Sequence, residues 1–265
     1  MASDAVLTPM LWGWVGAAAL MTVLWLWQIR SGNAGIVDVA WAFAIGSLAI
    51  FAALQSDTWW PRRLLVGGVG AIWGYRLAWH LLRDRILGRP EEGRYVTLRE
   101  NWKNHLQRAF FIFFQAQALL AIVLALPFFL AVRQPLAAWT TADMVGLGIW
   151  ALGVFGESLA DHQLARFKEN PANRGLTCRA GLWRYSRHPN YFFEWVLWCG
   201  MATLALGTPA GWLAYLSPAL ILFFILRITG IPPTEAQALK SRGEDYRRYQ
   251  QETSAFFPWF PRTTR

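Results

Sequence analysis

The sequence predicts an all-α fold, a polytopic helical membrane protein with about seven transmembrane helices. Hydrophobic residues make up 55% of the 265 residues and charged residues only 15%, a balance too apolar for an ordinary soluble domain. Because apolar windows take up almost the whole chain, we expect a single transmembrane domain over residues 1–265. The seven windows that approach or reach bilayer-spanning length are Leu7–Gln28, Gly35–Leu54, Leu64–Leu82, Ala109–Val132, Ala142–Ala160, Asn190–Leu206 and Gly211–Ile228.

Basic residues are concentrated in three long polar segments, residues 83–108, 161–190 and 229–265. The loops on the opposite side hold only Arg62, Arg63 and Arg133. Under the positive-inside rule, this bias places the N-terminus outside and the C-terminus inside the cell. The net charge of +9 then reflects mostly topology and does not indicate a nucleic-acid partner. Since long connections usually carry function, we expect the active site to face the cytoplasm from the bacterial inner membrane.

The run Gly181–Tyr191 (Gly-Leu-Trp-Arg-Tyr-Ser-Arg-His-Pro-Asn-Tyr) is the most informative stretch of the chain. Pro189 suits the first position of a helix, where its missing N–H costs nothing. The N–H groups of that first turn and the helix dipole favour an anion. Arg184, Arg187 and His188 add donors for the same anion. The run therefore predicts an anionic cofactor held at the membrane surface.

Ionisable groups inside the apolar windows need an explanation, because each costs about 2.5–3.5 kcal/mol on insertion. One interpretation is that they pair with one another and hold the bundle together. The other is that they converge on one site near the inner half of the bundle, which their number favours. The groups are Asp38, Arg76, Glu157, Asp161 and Glu194.

The inward segments add weaker candidates. Lys168 is either a juxtamembrane lysine on anionic headgroups or part of the site. Asp161 gains nothing from anionic lipid, so it suits a ribose or amide partner. Arg94 with Tyr95 could clamp a phosphate and stack on a base, although such a pair also serves as an interfacial anchor.

Several chemistries find no support in the chain. It contains no G-x-G-x-x-G after a strand, no P-loop and no H-E-x-x-H motif. Its four histidines have no metal-ligand spacing, and its two cysteines give no disulfide framework. We therefore expect no metal site.

At these motifs the sequence resembles the bacterial branch of the steroid 5α-reductase-like membrane proteins, whose C-terminal domain is shared with sterol reductases. The resemblance covers nearly the whole chain, and the central run is its most specific part. The matching motifs are Asn33…Ile36-Val37-Asp38…Trp41, Trp73-Gly74-Tyr75-Arg76-Leu77, Arg94-Tyr95, Gly156-Glu157…Asp161-His162-Gln163, Gly181–Tyr191 and Glu235…Tyr246…Tyr249 before Phe257-Pro258-Trp259.

The resemblance implies a seven-span fold that holds NADPH in a cytoplasm-facing cavity and reduces an activated C=C bond. Asp161 and Asn190 match positions that contact the cofactor, and Arg76 matches a cofactor-binding arginine. Glu235 stands where the steroid reductases use histidine. The expected cofactor-binding residues are Arg76, Arg94, Tyr95, Glu157, Asp161, Lys168, Arg184, Tyr185, Arg187, His188, Asn190, Tyr191, Glu194 and Glu235.

Two departures from the family leave the substrate open. The Gln-Glu pair that grips a 3-keto group in steroid 5α-reductases is not apparent, and Phe193 replaces the glycine that usually stands two residues after the motif's tyrosine. We expect an apolar, steroid- or isoprenoid-like enone that enters from the bilayer. Hydride would pass to its β-carbon while an acidic donor polarises its carbonyl oxygen. The candidate donors are Tyr75 and Asp38, the latter only if it is protonated.

Two other functions remain open. Membrane methyltransferases of the isoprenylcysteine carboxyl type, which use S-adenosylmethionine, carry a similar Arg-His-Pro-x-Tyr run at a helix start. That cofactor carries no phosphate, so the inward arginines would be left without a ligand. If the protein were a lipid-binding or scaffolding membrane protein, the acidic side chains inside the membrane would have no function. The sequence favours the reductase.

Overall fold

The computed structural model describes residues 4–262, so the last three residues of the predicted segment 229–265 lie outside the described residues. Helices account for 77% of the structure, and the described part of the chain contains no strand. The all-α prediction is confirmed. The chain forms two compact units, unit 1 from the residues up to Ala142 with Leu204–Ser217, and unit 2 from Asp143–Thr203 with the residues from Pro218 onward.

In the described part of the chain, unit 1 is built on six α-helices. They are α1 (Asp4–Ser31), α2 (Ile36–Leu54), α3 (Trp60–Leu81), α4 (Gly93–Asn101), α5 (Leu106–Leu124) and α6 (Leu126–Ala131). Helices α2 and α3 approach closely because glycines face each other where they meet. A Cβ on Gly74 would lie 2.7 Å from the carbonyl oxygen of Ala42 and 2.7 Å from the backbone nitrogen of Gly46. Small residues at such a contact are typical of helix pairs in membranes.

Unit 2 contains α7 (Thr141–Glu169) from Asp143 onward, α8 (Pro189–Thr203), most of α9 (Leu216–Arg227) and α10 (Ile231–Glu252). Helix α8 begins at Pro189, as the sequence predicts. The loop between α7 and α8 contains two short 3₁₀ turns, Pro171–Asn173 and Gly181–Arg184. Helix α10 is kinked at Gly243, whose φ of 52° lies in the left-handed region that favours glycine.

Five described segments are long and apolar enough to cross a membrane: Val6–Ser31, Ile36–Leu54, Lys103–Ala131, Thr141–Glu169 and Gly211–Glu252. Two of the seven predicted windows fall outside this set. The third window lies in α3, which carries Arg62, Arg63 and Arg76, and the sixth lies in α8, which has only 15 residues. The count of seven and the orientation stay predictions. Beyond Arg227 the last segment continues as the highly charged α10, which we place outside the membrane.

Candidate functional site

The candidate site is a cavity of about 660 Å³ in unit 2. Its volume lies in the range of small-molecule sites, about 300–1,000 Å³. The end of α7, the loop that follows it, the start of α8 and helix α10 form its wall. The wall contains five of the residues predicted from the sequence: Lys168, Arg187, His188, Asn190 and Tyr191.

The wall also contains polar residues that were not among the predicted site residues, and five of them matter below: Arg174, Thr177, Arg242, Tyr246 and Tyr249. All five lie in the inward segments 161–190 and 229–265 that the charge distribution singled out. Burial raises the pKa of Tyr246 and of Tyr249, so both keep their hydroxyl protons and act as donors. The Tyr249 hydroxyl donates to the carbonyl oxygens of Trp183 and Ser186.

A half-buried carboxylate, Glu235, organises the wall. Its Oε1 accepts hydrogen bonds from Arg187 Nε at 2.7 Å and from the Tyr246 hydroxyl at 3.3 Å, and His188 Nε2 lies 3.2 Å from it. Its Oε2 accepts from Gln250 Nε2 at 2.7 Å. Burial alone would raise the pKa of Glu235, but the hydrogen bonds from His188 and Arg187 and the arginine's charge lower it to about 2. Glu235 is therefore a carboxylate at neutral pH.

Arg187 is a structural clamp as well as a wall residue. Its Nη1 donates to the carbonyl oxygens of Gln250 at 2.9 Å and Thr253 at 2.6 Å, and its backbone N–H donates to the Ser254 carbonyl at 2.8 Å. With its side chain only 11% exposed and paired with Glu235, it fastens the end of α10 to the start of α8. Its charge is already compensated, which the motif alone did not indicate.

The first turn of α8 brings the predicted polar pair together. Asn190 Nδ2 donates to Asp161 Oδ1 at 3.1 Å, and Asn190 Oδ1 accepts from the Tyr191 backbone N–H at 3.0 Å. One N–H group of the helix start is thus already paired. The rings of His188 and Tyr191 stack at 5.4 Å with planes 7° apart, and the Tyr191 hydroxyl lies 3.2 Å from Thr234 Oγ1.

The remaining predicted residues of unit 2 lie outside the cavity wall. Glu157 and Glu194 are half-buried on α7 and α8. Arg184 is exposed, and the Tyr185 ring packs edge-on against Phe260 at 6.1 Å.

Unit 1 contains the other predicted residues. Arg94 donates to Asp38 Oδ2, and the Tyr95 hydroxyl donates to Asp38 Oδ1 at 2.9 Å. The Arg94 guanidinium also lies 4.7 Å from the centre of the Tyr95 ring. Burial and the charge of Asp38 raise the pKa of Tyr95, which keeps its proton in this bond. Both oxygens of Asp38 therefore act as acceptors.

The two predicted α3 residues are exposed. The Tyr75 hydroxyl lies 3.1 Å from Ser47 Oγ, and its side chain is 36% exposed. Arg76 is exposed on the next position of the helix. Within residues 4–262, no cluster of three or more His, Cys, Asp or Glu residues could hold a metal ion.

Comparison with known proteins gives a family without an assigned activity. The chain is 26% identical to the uncharacterized protein C594.04c of Schizosaccharomyces pombe, over 94% of this chain and 80% of that protein. No solved structure matches the chain. A family model described as "Protein of unknown function (DUF1295)" matches residues 24–253, a range that includes Asp38 and the whole cavity wall. The chain therefore belongs to the DUF1295 family.

Proposed function

We propose that the protein is an integral membrane reductase that uses NADPH to reduce the C=C bond of an apolar, steroid- or isoprenoid-like enone. The observation that carries this proposal is the cavity of about 660 Å³ at the Gly181–Tyr191 motif, whose wall holds four cationic side chains and one carboxylate. The resemblance of the motifs supports it, and DUF1295 is a family associated with steroid 5α-reductase-like proteins.

The cavity wall fits a phosphorylated nucleotide. Arginine and lysine are the preferred partners of phosphate groups. The hydroxyl of Thr177 is buried and has no hydrogen-bond partner within residues 4–262, so it can donate to a ligand. The Asp161–Asn190 pair offers an acceptor and an amide for a ribose or a carboxamide. NADPH, when bound, supplies the hydride.

The chain itself must supply a proton donor, because negative charge develops on the carbonyl oxygen of an enone as it is reduced. Asp38 accepts hydrogen bonds at both oxygens, so it would first have to take up a proton. The Tyr75 hydroxyl lies 3.1 Å from Ser47 Oγ, and the residue is partly exposed. Both residues stay candidates for the donor, as the sequence predicts.

The test is the thermal stability of the detergent-purified protein with NADPH, NADH or S-adenosylmethionine. A ligand at 100 times its Kd stabilises the folded state by about 2.7 kcal/mol. For a chain of this size, that corresponds to a rise in Tm of roughly 5–10 °C. We expect this rise with NADPH, its loss in Asn190→Ala and its retention in Arg166→Ala, a substitution on α7 outside the cavity wall. A rise with S-adenosylmethionine and none with NADPH would replace the reductase by a methyltransferase.

A further inference from the structure

The cationic side chains of the cavity wall fall into two classes. Arg187 is paired with Glu235 at 2.7 Å and with two backbone carbonyls, so its charge and most of its donors are in use. Lys168, Arg174 and Arg242 form no ion pair with a carboxylate in the part of the chain that the structure describes. The wall's own acid, Glu169, compensates at most one of these three charges.

Hydrogen bonds and an ion pair fix the loop that carries Arg174 to the helices that carry Lys168 and Arg242. The Thr177 backbone N–H donates to Asp245 Oδ2 at 2.7 Å, and Arg179 binds the same carboxylate at 3.2 Å. These bonds tie the loop that carries Arg174 to α10, the helix that carries Arg242. Within the loop, the Asn173 side chain donates to the Phe167 carbonyl at 2.7 Å, which holds the turn against the end of α7. The loop is thus fixed at both ends.

Two further polar side chains lie on the same cavity wall as the cations. The Arg242 guanidinium lies 4.9 Å from the centre of the Tyr246 ring, which limits the directions it can take. Thr177, only 6% exposed, contributes the hydroxyl without a hydrogen-bond partner among residues 4–262. Like charges on one cavity wall repel one another, and a multiply charged anion bound there relieves that repulsion.

We infer that Lys168, Arg174, Arg242 and Thr177 form a phosphate-binding subsite of the cavity, and that Arg187 is a positioning residue that holds the wall together. The subsite's occupant is a phosphate ester or diphosphate. The assignment of this phosphate group to NADPH rests on the proposed function. The same chemistry is offered by the headgroup of an anionic phospholipid, so the experiment must separate the two sources.

The experiment is equilibrium binding of NADPH and of inorganic pyrophosphate to the purified full-length protein in nanodiscs. We expect Kd for both probes to rise about tenfold or more in Arg174→Ala and in Arg242→Ala, because each removes a charge-assisted hydrogen bond to phosphate. Arg166→Ala on α7 and Arg248→Ala on α10 are matched controls, since both residues are exposed and lie outside the cavity wall. In these controls, Kd should stay within about twofold of the wild-type value.

Folding of the variants is checked by their Tm without ligand. Arg174 is exposed and Arg242 half-buried, and neither has an ion pair within residues 4–262, so both variants should melt within about 2 °C of the wild-type protein. Arg242→Lys retains the charge and should recover part of the affinity. Unchanged Kd for NADPH and pyrophosphate in both alanine variants would overturn the subsite while leaving the reductase intact.

The remaining outcomes separate the subsite from the proposed function. Pyrophosphate binding that is lost in both variants, without any NADPH binding to the wild-type protein, would support the subsite and contradict the reductase. Nanodiscs of phosphatidylcholine and of phosphatidylglycerol identify the source of the phosphate. Equal NADPH affinity in both lipids supports the nucleotide. Competition by phosphatidylglycerol that disappears in Arg174→Ala would assign the subsite to a lipid headgroup and overturn the nucleotide assignment.

Discussion

Replacing Glu235 by glutamine should destabilise unit 2 strongly, because the Glu235 carboxylate neutralises the charge of Arg187. Arg187 is the arginine of the cavity wall that fastens the end of α10 to the start of α8. Its pKa is lowered from a usual value of 4.5 to about 2, mainly by the hydrogen bonds of His188 and Arg187 acting against burial. At about 1.4 kcal/mol per pKa unit, the folded protein favours the charged form by roughly 3 kcal/mol. Glu235→Gln should therefore lower Tm by roughly 6–12 °C at pH 7.

The pH dependence of this loss follows from the direction of the shift. A carboxylate whose pKa is lowered by folding stabilises the protein above its unfolded pKa, and that stabilisation disappears as the pH falls through the folded value. The difference in Tm between the wild-type protein and Glu235→Gln should be constant from neutral pH to about pH 5 and shrink as the pH falls from about 4.5 towards 2. Differential scanning fluorimetry in detergent measures it, with the exposed Glu244→Gln as a control expected to have little effect. A difference below 2 °C at pH 7, or one that grows on acidification, would refute the reasoning.

Two further predictions concern unit 1. Gly74→Ala should destabilise the protein by about 1–3 kcal/mol, because its Cβ would lie 2.7 Å from the Ala42 carbonyl oxygen, a backbone atom that cannot rotate away. Gly68→Ala is the matched control, because nothing lies within 4 Å of the Cβ it would add. Equal Tm values for the two variants would contradict the close packing of α2 and α3. Tyr95→Phe should cost about 1 kcal/mol by removing the part-buried hydrogen bond to Asp38. A Tm unchanged from that of the wild-type protein would show that this bond adds nothing to stability.

Composition and local pattern predicted the helical membrane class and the start of α8 at Pro189, because both depend on residues that are neighbours in the chain. The number of spans is harder to predict, because a hydropathy window does not detect the residues at which a helix begins and ends. The window at Asn190–Leu206 falls on a helix of only 15 residues. The window at Leu64–Leu82 falls on a helix whose first turn contains Arg62 and Arg63.

The partners of the site residues could not be predicted, because they come from distant parts of the chain. Arg187 meets Glu235 across 48 positions, and Asp38 meets Tyr95 across 57. The motif identified Arg187 as a donor for an anion, and only the fold shows that Glu235 already compensates its charge. For the same reason Arg174 and Arg242 were not distinguished from the other inward arginines until the cavity brought them into one wall.

Transfer of deuterium most directly tests whether the protein is an NADPH-dependent reductase. The purified protein in nanodiscs is incubated with NADPH deuterated at its hydride-donating carbon and a panel of apolar enones, and the products are analysed by mass spectrometry. We predict a saturated ketone with one deuterium at the former β-carbon, formed by the wild-type protein and not by Asn190→Ala. Recovery of every enone unreduced and unlabelled, at a concentration of NADPH that saturates binding, would contradict the assignment.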